Sequence, residues 1–183
     1  MTTLPHRDQD RVLTLYAHYF LAAELMRSNY VKLQTKRKQR GELNQNDAVD
    51  KSIYFCTWLG FLRTSCEGFQ KLKMRLLLQN ERPKEFRELI PKSDEIGKAM
   101  KQHADLLRLI RNDIFHLRED VEAVKQFFAN ETLCLIWAEK LHAAFAQFFS
   151  NYRVLCEVHY VMNDRISEMQ MKSACSKRRQ ASG

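Results

Sequence analysis

The chain has 183 residues, 45% of them apolar and 28% charged, with a formal net charge of +8. Eleven Phe, six Tyr and two Trp exclude a solvated coil, while five Gly and three Pro are too few for the turns of a β-sandwich or barrel. Abundant Leu, Lys, Arg, Glu, Gln and Met favour helix, so one compact, mostly helical domain is expected.

The opening segment MTTLPHRDQD has neither a basic nor an apolar leader region, so no signal peptide is expected there. Helix periodicity begins near Asp8 and continues to Arg40, with Leu13, Tyr16, Phe20 and Ala23 at steps of three and four. This helix ends in a basic block, Lys36, Arg37, Lys38 and Arg40. Gly41 breaks it, and Asn46 or Asp47 can cap the next. The second helix is expected over 48–80, apolar through Phe55, Trp58, Leu59, Leu62 and Phe69. Gly60 and Gly68 suit a close helix–helix approach, and Lys71, Lys73 and Arg75 form a second basic block.

Pro83 to Pro91 reads as a connector with one helical turn. Ser93, followed by Asp94 and Glu95, is the expected N-cap of a third helix reaching at least Ile110 and extending through His116. A short helix is expected over 120–128. Asn130 then caps a last long helix carrying Leu133, Trp137, Leu141, Phe145, Phe148 and Tyr152. The resulting expectation is an all-α, antiparallel bundle of four to five helices over residues 1–171. Residues 172–183, with Lys177, Arg178 and Arg179, form a polar basic C-terminal tail.

The five cysteines are odd in number and show no C-x-x-C pair, so most read as small buried hydrophobes in a reducing cytoplasm. The longest apolar run, Leu133 to Ala138, is far short of the ~20 residues of a membrane span. No P-loop, G-x-G-x-x-G, H-E-x-x-H or G-x-S-x-G motif is present. Neither a metal nor a cofactor is expected. The excess of Lys and Arg points instead to phosphate polymers or anionic surfaces as partners.

Chemistry concentrates in Leu106-Leu107-Arg108-Leu109-Ile110-Arg111-Asn112-Asp113-Ile114-Phe115-His116. At about 100° per residue, His103, Leu107, Ile110, Ile114 and Leu117 form one core stripe. Arg108, Asn112 and His116 follow on nearly the opposite side, with Arg111 at the core's edge. Leu109 and Phe115 also fall off the stripe and leave apolar surface beside the polar row, as at a protein–protein seam. Taken alone, an Arg and a His on one helix are most often only solvated.

The string Arg111-Asn112-Asp113-Ile114-Phe115-His116 resembles the R-x4–6-H signature of the HEPN family (higher-eukaryote-and-prokaryote nucleotide-binding domains). Those are small all-helical bundles that dimerise, with the signature late in the bundle. The preceding Leu-Leu-Arg-Leu-Ile is similar to the family's apolar run into the motif. The resemblance implies a metal-independent endoribonuclease, used as a toxin or in phage defence, whose site is composed of Arg and His from two protomers. It casts His116 as the proton shuttle and Arg111 as the phosphate-binding cation, which suits their chemistry. Asn112 is the candidate for positioning His116 or the scissile phosphate, with Asp113 behind it. Arg108 and the block Lys36, Arg37 and Lys38 are the expected RNA contacts.

Some toxin members carry a Tyr two residues after the His, where a partner nucleotidyltransferase modifies it. Here that position is Arg118, which speaks against this control and leaves a binding antitoxin open. The competing reading is a non-catalytic helical module that binds RNA, a nucleotide or a protein. A DNA-binding regulator is disfavoured, since no glycine turn joins two short helices.

Overall fold

A computed structural model describes residues 3–102, 104–115 and 131–169. The helix expected at 120–128, the Asn130 cap and the tail at 172–183 lie outside these residues. Within them the chain is all-helical, without a strand, in about six helices. None of the described helices is long and apolar enough to cross a membrane.

Helix α1 covers residues 11–40 as Arg11–Leu15, a π-helical turn Tyr16–Phe20 and Leu21–Arg40. It starts after a 3-10 turn at Arg7–Gln9, because the Asp10 carboxylate accepts the Val12 N–H at 2.8 Å and caps it there. Its end is the expected one. Gly41 takes φ 83°, open to glycine without strain, and returns its N–H to the Arg37 carbonyl at 2.9 Å.

Helix α2, Gln45–Lys71, is capped by Asn44, whose side-chain oxygen accepts the Asp47 N–H at 2.8 Å. The cap is therefore Asn44 rather than Asn46 or Asp47. The helix expected to reach Asn80 instead breaks at Lys73, a non-glycine residue at φ 48°, and α3 follows as Met74–Asn80. A 3-10 turn at Lys84–Leu89 supplies the helical turn expected in the proline-bounded connector.

Ser93 does not cap the next helix. Helix α4, Ile90–Lys101, starts earlier with Pro91 in its first turn, where the missing N–H costs nothing, and Ser93 is buried inside it. The single helix expected through Ile110 divides at Gln102, and α5, Ala104–Phe115, carries the Arg-x4-His segment up to Phe115. Helix α6, Glu131–Met162, is the last long element.

The core forms where α6 lies against α1 and α2. Phe145, Phe148, Phe149 and Tyr152 are fully buried. Phe149 packs on Tyr16 and Phe20 of α1, while Phe69 of α2 meets Phe145 and Phe148 edge-on. Helices α1 and α2 pair as a hairpin tied near its turn by Lys36 and Asp47. Their approach near Gly68 is close: a Cβ there would meet Leu15 Cδ1 at 2.3 Å. Three segments distant in sequence meet in a buried polar cluster. Arg82 donates to Asp10 at 3.0 Å and to the Tyr152 hydroxyl at 2.7 Å, and that hydroxyl donates to Asp10 at 2.7 Å. A second clamp closes the ends of the described chain, where Arg165 donates to the carbonyls of Leu4 and Pro5 and to the Glu168 carboxylate.

Candidate functional site

Helix α5 packs along α2, and Leu107 is buried in that seam as the core stripe requires. Arg111, one turn further on, sits at the edge of the contact. Its Nη2 donates to Glu67 Oε1 at 3.0 Å, and the same oxygen accepts from Arg63 Nε at 3.1 Å. Among the described residues, two guanidinium groups thus share the one Glu67 carboxylate. The Arg63 side chain is 12% exposed and that of Arg111 27%. A phosphate arriving from solvent therefore has a partly desolvated cation to meet, where charge-assisted hydrogen bonds are strong.

The Arg111 Nε–H is buried and has no hydrogen-bond partner among the described residues. Orphaned buried donors are uncommon in folded proteins, because desolvation costs about 1–3 kcal/mol when no bond replaces water. The Nε–H lies on the same edge of the guanidinium as Nη2, so Glu67 satisfies only half of that edge.

Asn112 is half-buried beside this cluster, and Arg108 is exposed and faces Asp105 at 3.5 Å. Leu109 is not left on open surface, since it packs against the core. His116 lies outside the described residues, as do His103 and Leu117. The structure therefore brings Arg63, Glu67 and Arg111 together with Asn112 in the next position along α5.

The block at the end of α1 is placed elsewhere. Lys36 is paired with Asp47 across the hairpin, and Arg37 and Lys38 are exposed nearby. Asp47 and Glu67 stand twenty residues apart on α2, about 30 Å at the helical rise. These cations and Arg111 do not share one site within a protomer. Arg63 escaped the sequence reading, although Arg63 and Glu67 have the i,i+4 spacing that signals a paired helix face.

A second titratable cluster sits between α1, α2 and α6. Trp58 Nε1–H donates to His142 Nδ1 at 3.1 Å, so the ring's proton resides on Nε2 and faces Glu24 at 2.6 Å. Burial lowers the His142 pKa, and the Glu24 hydrogen bond opposes that only in part. The ring is 2% exposed and walled by Phe20 and Trp58, so it is a structural group closed to substrate. Cys66 is likewise inert, its thiol pushed up to about 12 by burial. Among the described residues no group of His, Cys, Asp and Glu is arranged to hold a metal ion.

Comparison with family models, with curated proteins and with solved structures finds no match to this chain.

Proposed function

We propose that this protein is a metal-independent endoribonuclease of the HEPN type. It acts as a toxin or phage-defence effector, at a site composed by two copies of the chain. The observation that supports the reading is Arg111, partly exposed at the first position of the Arg-x4-His segment and sharing the single Glu67 carboxylate with a second guanidinium, that of Arg63. Arg111 binds the scissile phosphate and stabilises the charge that builds on it in the transition state.

In this mechanism His116 takes the proton of the ribose 2′-OH. The 2′ oxygen bonds to phosphorus, the bond to the 5′ oxygen breaks, and that oxygen leaves with a proton. The second protomer's copy of the motif offers the group that donates it. The products are a 2′,3′-cyclic phosphate and a 5′-hydroxyl. On a straight helix Arg111 and His116 point about 140° apart, so a two-fold partner is the economical way to complete the site.

The non-catalytic reading draws on one observation: Glu67 already holds Arg111, as a purely structural ion pair would. Arg111→Ala separates the two. As the phosphate-binding cation, its loss costs both RNA affinity and single-turnover cleavage, by about 10² or more in rate. Cleavage in excess chelator should equal that in magnesium. An unchanged rate in folded Arg111→Ala, or a loss in chelator that magnesium restores, removes this function.

A further inference from the structure

Where the helix breaks at Lys73, an open depression, here called the cavity, of about 560 Å³ lies between α3 and α4, next to the end of α2. Its floor is apolar: Phe69, Met74 and Met100 line it and are buried. Its rim is cationic. Lys73, Lys98 and Lys101 are exposed, and none has an ion pair among the described residues. Arg75, also on the rim, is held across the opening by Asp94 at 2.8 Å. A concave site with an apolar floor and three uncompensated lysines is suited to one nucleotide unit, with the base against the floor and phosphates on the rim.

Two further features set this cavity apart from ordinary basic surface. Lys73 holds a left-handed conformation that costs a non-glycine residue about 1 kcal/mol or more, a kind of strain that clusters at functional sites. The cavity lining also includes Gln70, three residues beyond Glu67 and a neighbour of it on the same face of α2, which sets the site within one turn of the carboxylate that holds Arg111. The lysine block at the end of α1 has neither relation to Arg111.

We infer that this cavity binds a nucleotide of single-stranded RNA flanking the phosphate held at Arg111, and so sets the path of the strand across the molecule. The inference rests on the ribonuclease reading for the identity of its ligand. It is tested by binding alone, so the two can fail separately.

The probe is a fluorescein-labelled twelve-nucleotide polyuridine. Its affinity is measured by anisotropy at several salt concentrations, with every protein carrying His116→Ala so that the RNA persists. Lys98→Ala with Lys101→Ala should weaken binding about tenfold and make the log–log salt slope shallower by about 1.4, two phosphate contacts' worth. Lys32→Ala with Lys140→Ala removes the same charge from exposed positions outside the cavity and should change affinity less than about twofold. Gly97 lines the cavity, and a Cβ there meets nothing within 4 Å. Gly97→Leu therefore fills the space at unchanged charge, in a helix where Leu is the better former, and should also weaken binding. Equal losses from both lysine pairs, or full affinity in Gly97→Leu, would overturn the proposal. So would displacement of the RNA by polyglutamate as efficient as by unlabelled polyuridine. If Arg111→Ala still cleaves while the cavity variants lose RNA, the function falls and the binding site stands.

Discussion

Single residues carry this protein's polar chemistry inside the fold as well as at its edge. Asp10 is fully buried and answers Arg82, itself 4% exposed, together with Tyr152 and the Val12 N–H. Removing one member of a buried pair strands the other, at about 3–5 kcal/mol. Asp10→Ala should lower the denaturation free energy by that amount, and a loss under 1 kcal/mol would show that the cluster is not tightly desolvated. His142 behaves differently, because its Nδ1 already accepts the Trp58 N–H. Protonation would set two donors against each other. The folded ring stays neutral below the ordinary value of 6.5, at which the unfolded chain takes up a proton. Stability is thus fully present above pH 6.5 and falls as pH drops through the folded pKa. His159, also lowered by burial and by Arg165, adds to the same window. Glu168 acts lower: hydrogen bonds from Arg165 bring its carboxyl from 4.5 to about 2, so its contribution is lost between those values. Urea melts at pH 7.0, 6.0 and 5.0 should show a decline that is partly absent in His142→Gln. A flat profile would contradict the neutral ring.

At the scale of elements, the sequence made legible whatever depends on local chain chemistry. Gly41 ends α1 because only that residue type takes φ 83° without penalty, and the helix period through Phe145, Phe148 and Tyr152 marks the buried face of α6. The breaks at Lys73 and Gln102 carry no Gly or Pro, and Ser93 looks like a cap while standing inside a helix that Pro91 had already begun. At the two breaks local propensity is overridden, whereas at Ser93 the competing local signal of Pro91 decides where the helix starts. The candidate site divides in the same way. Arg111 stands out by its place in a short string, but its pairing with Glu67 and Arg63 depends on how α5 lies along α2, which no local pattern encodes. The same holds for Lys36, an expected RNA contact, whose pairing with Asp47 depends on how α1 and α2 fold together. Lys36→Ala should cost about 0.5–1 kcal/mol of stability by loosening the α1–α2 turn, and, as an expected phosphate contact, should also weaken RNA binding with a shallower salt dependence. Unchanged affinity and salt slope would remove this lysine from the RNA surface.

At the scale of the whole molecule, the proposal of a phosphate-bearing polymer as ligand draws on the net charge of +8 and on Arg111 and the lysine-rimmed cavity among the described residues. In the proposed mechanism an ideal helix would turn Arg111 and His116 about 140° apart, so the active species should be a dimer in small-angle scattering. The most direct measurement of the central claim is single-turnover cleavage of a fluorescent single-stranded RNA in excess chelator, comparing the wild type with His116→Ala at matched folding and dimerisation. The predicted result is a 2′,3′-cyclic phosphate product from the wild type, with RNA binding retained and the rate lowered by about 10² or more in the variant. A folded, dimeric His116→Ala that cleaves at the wild-type rate would contradict the account.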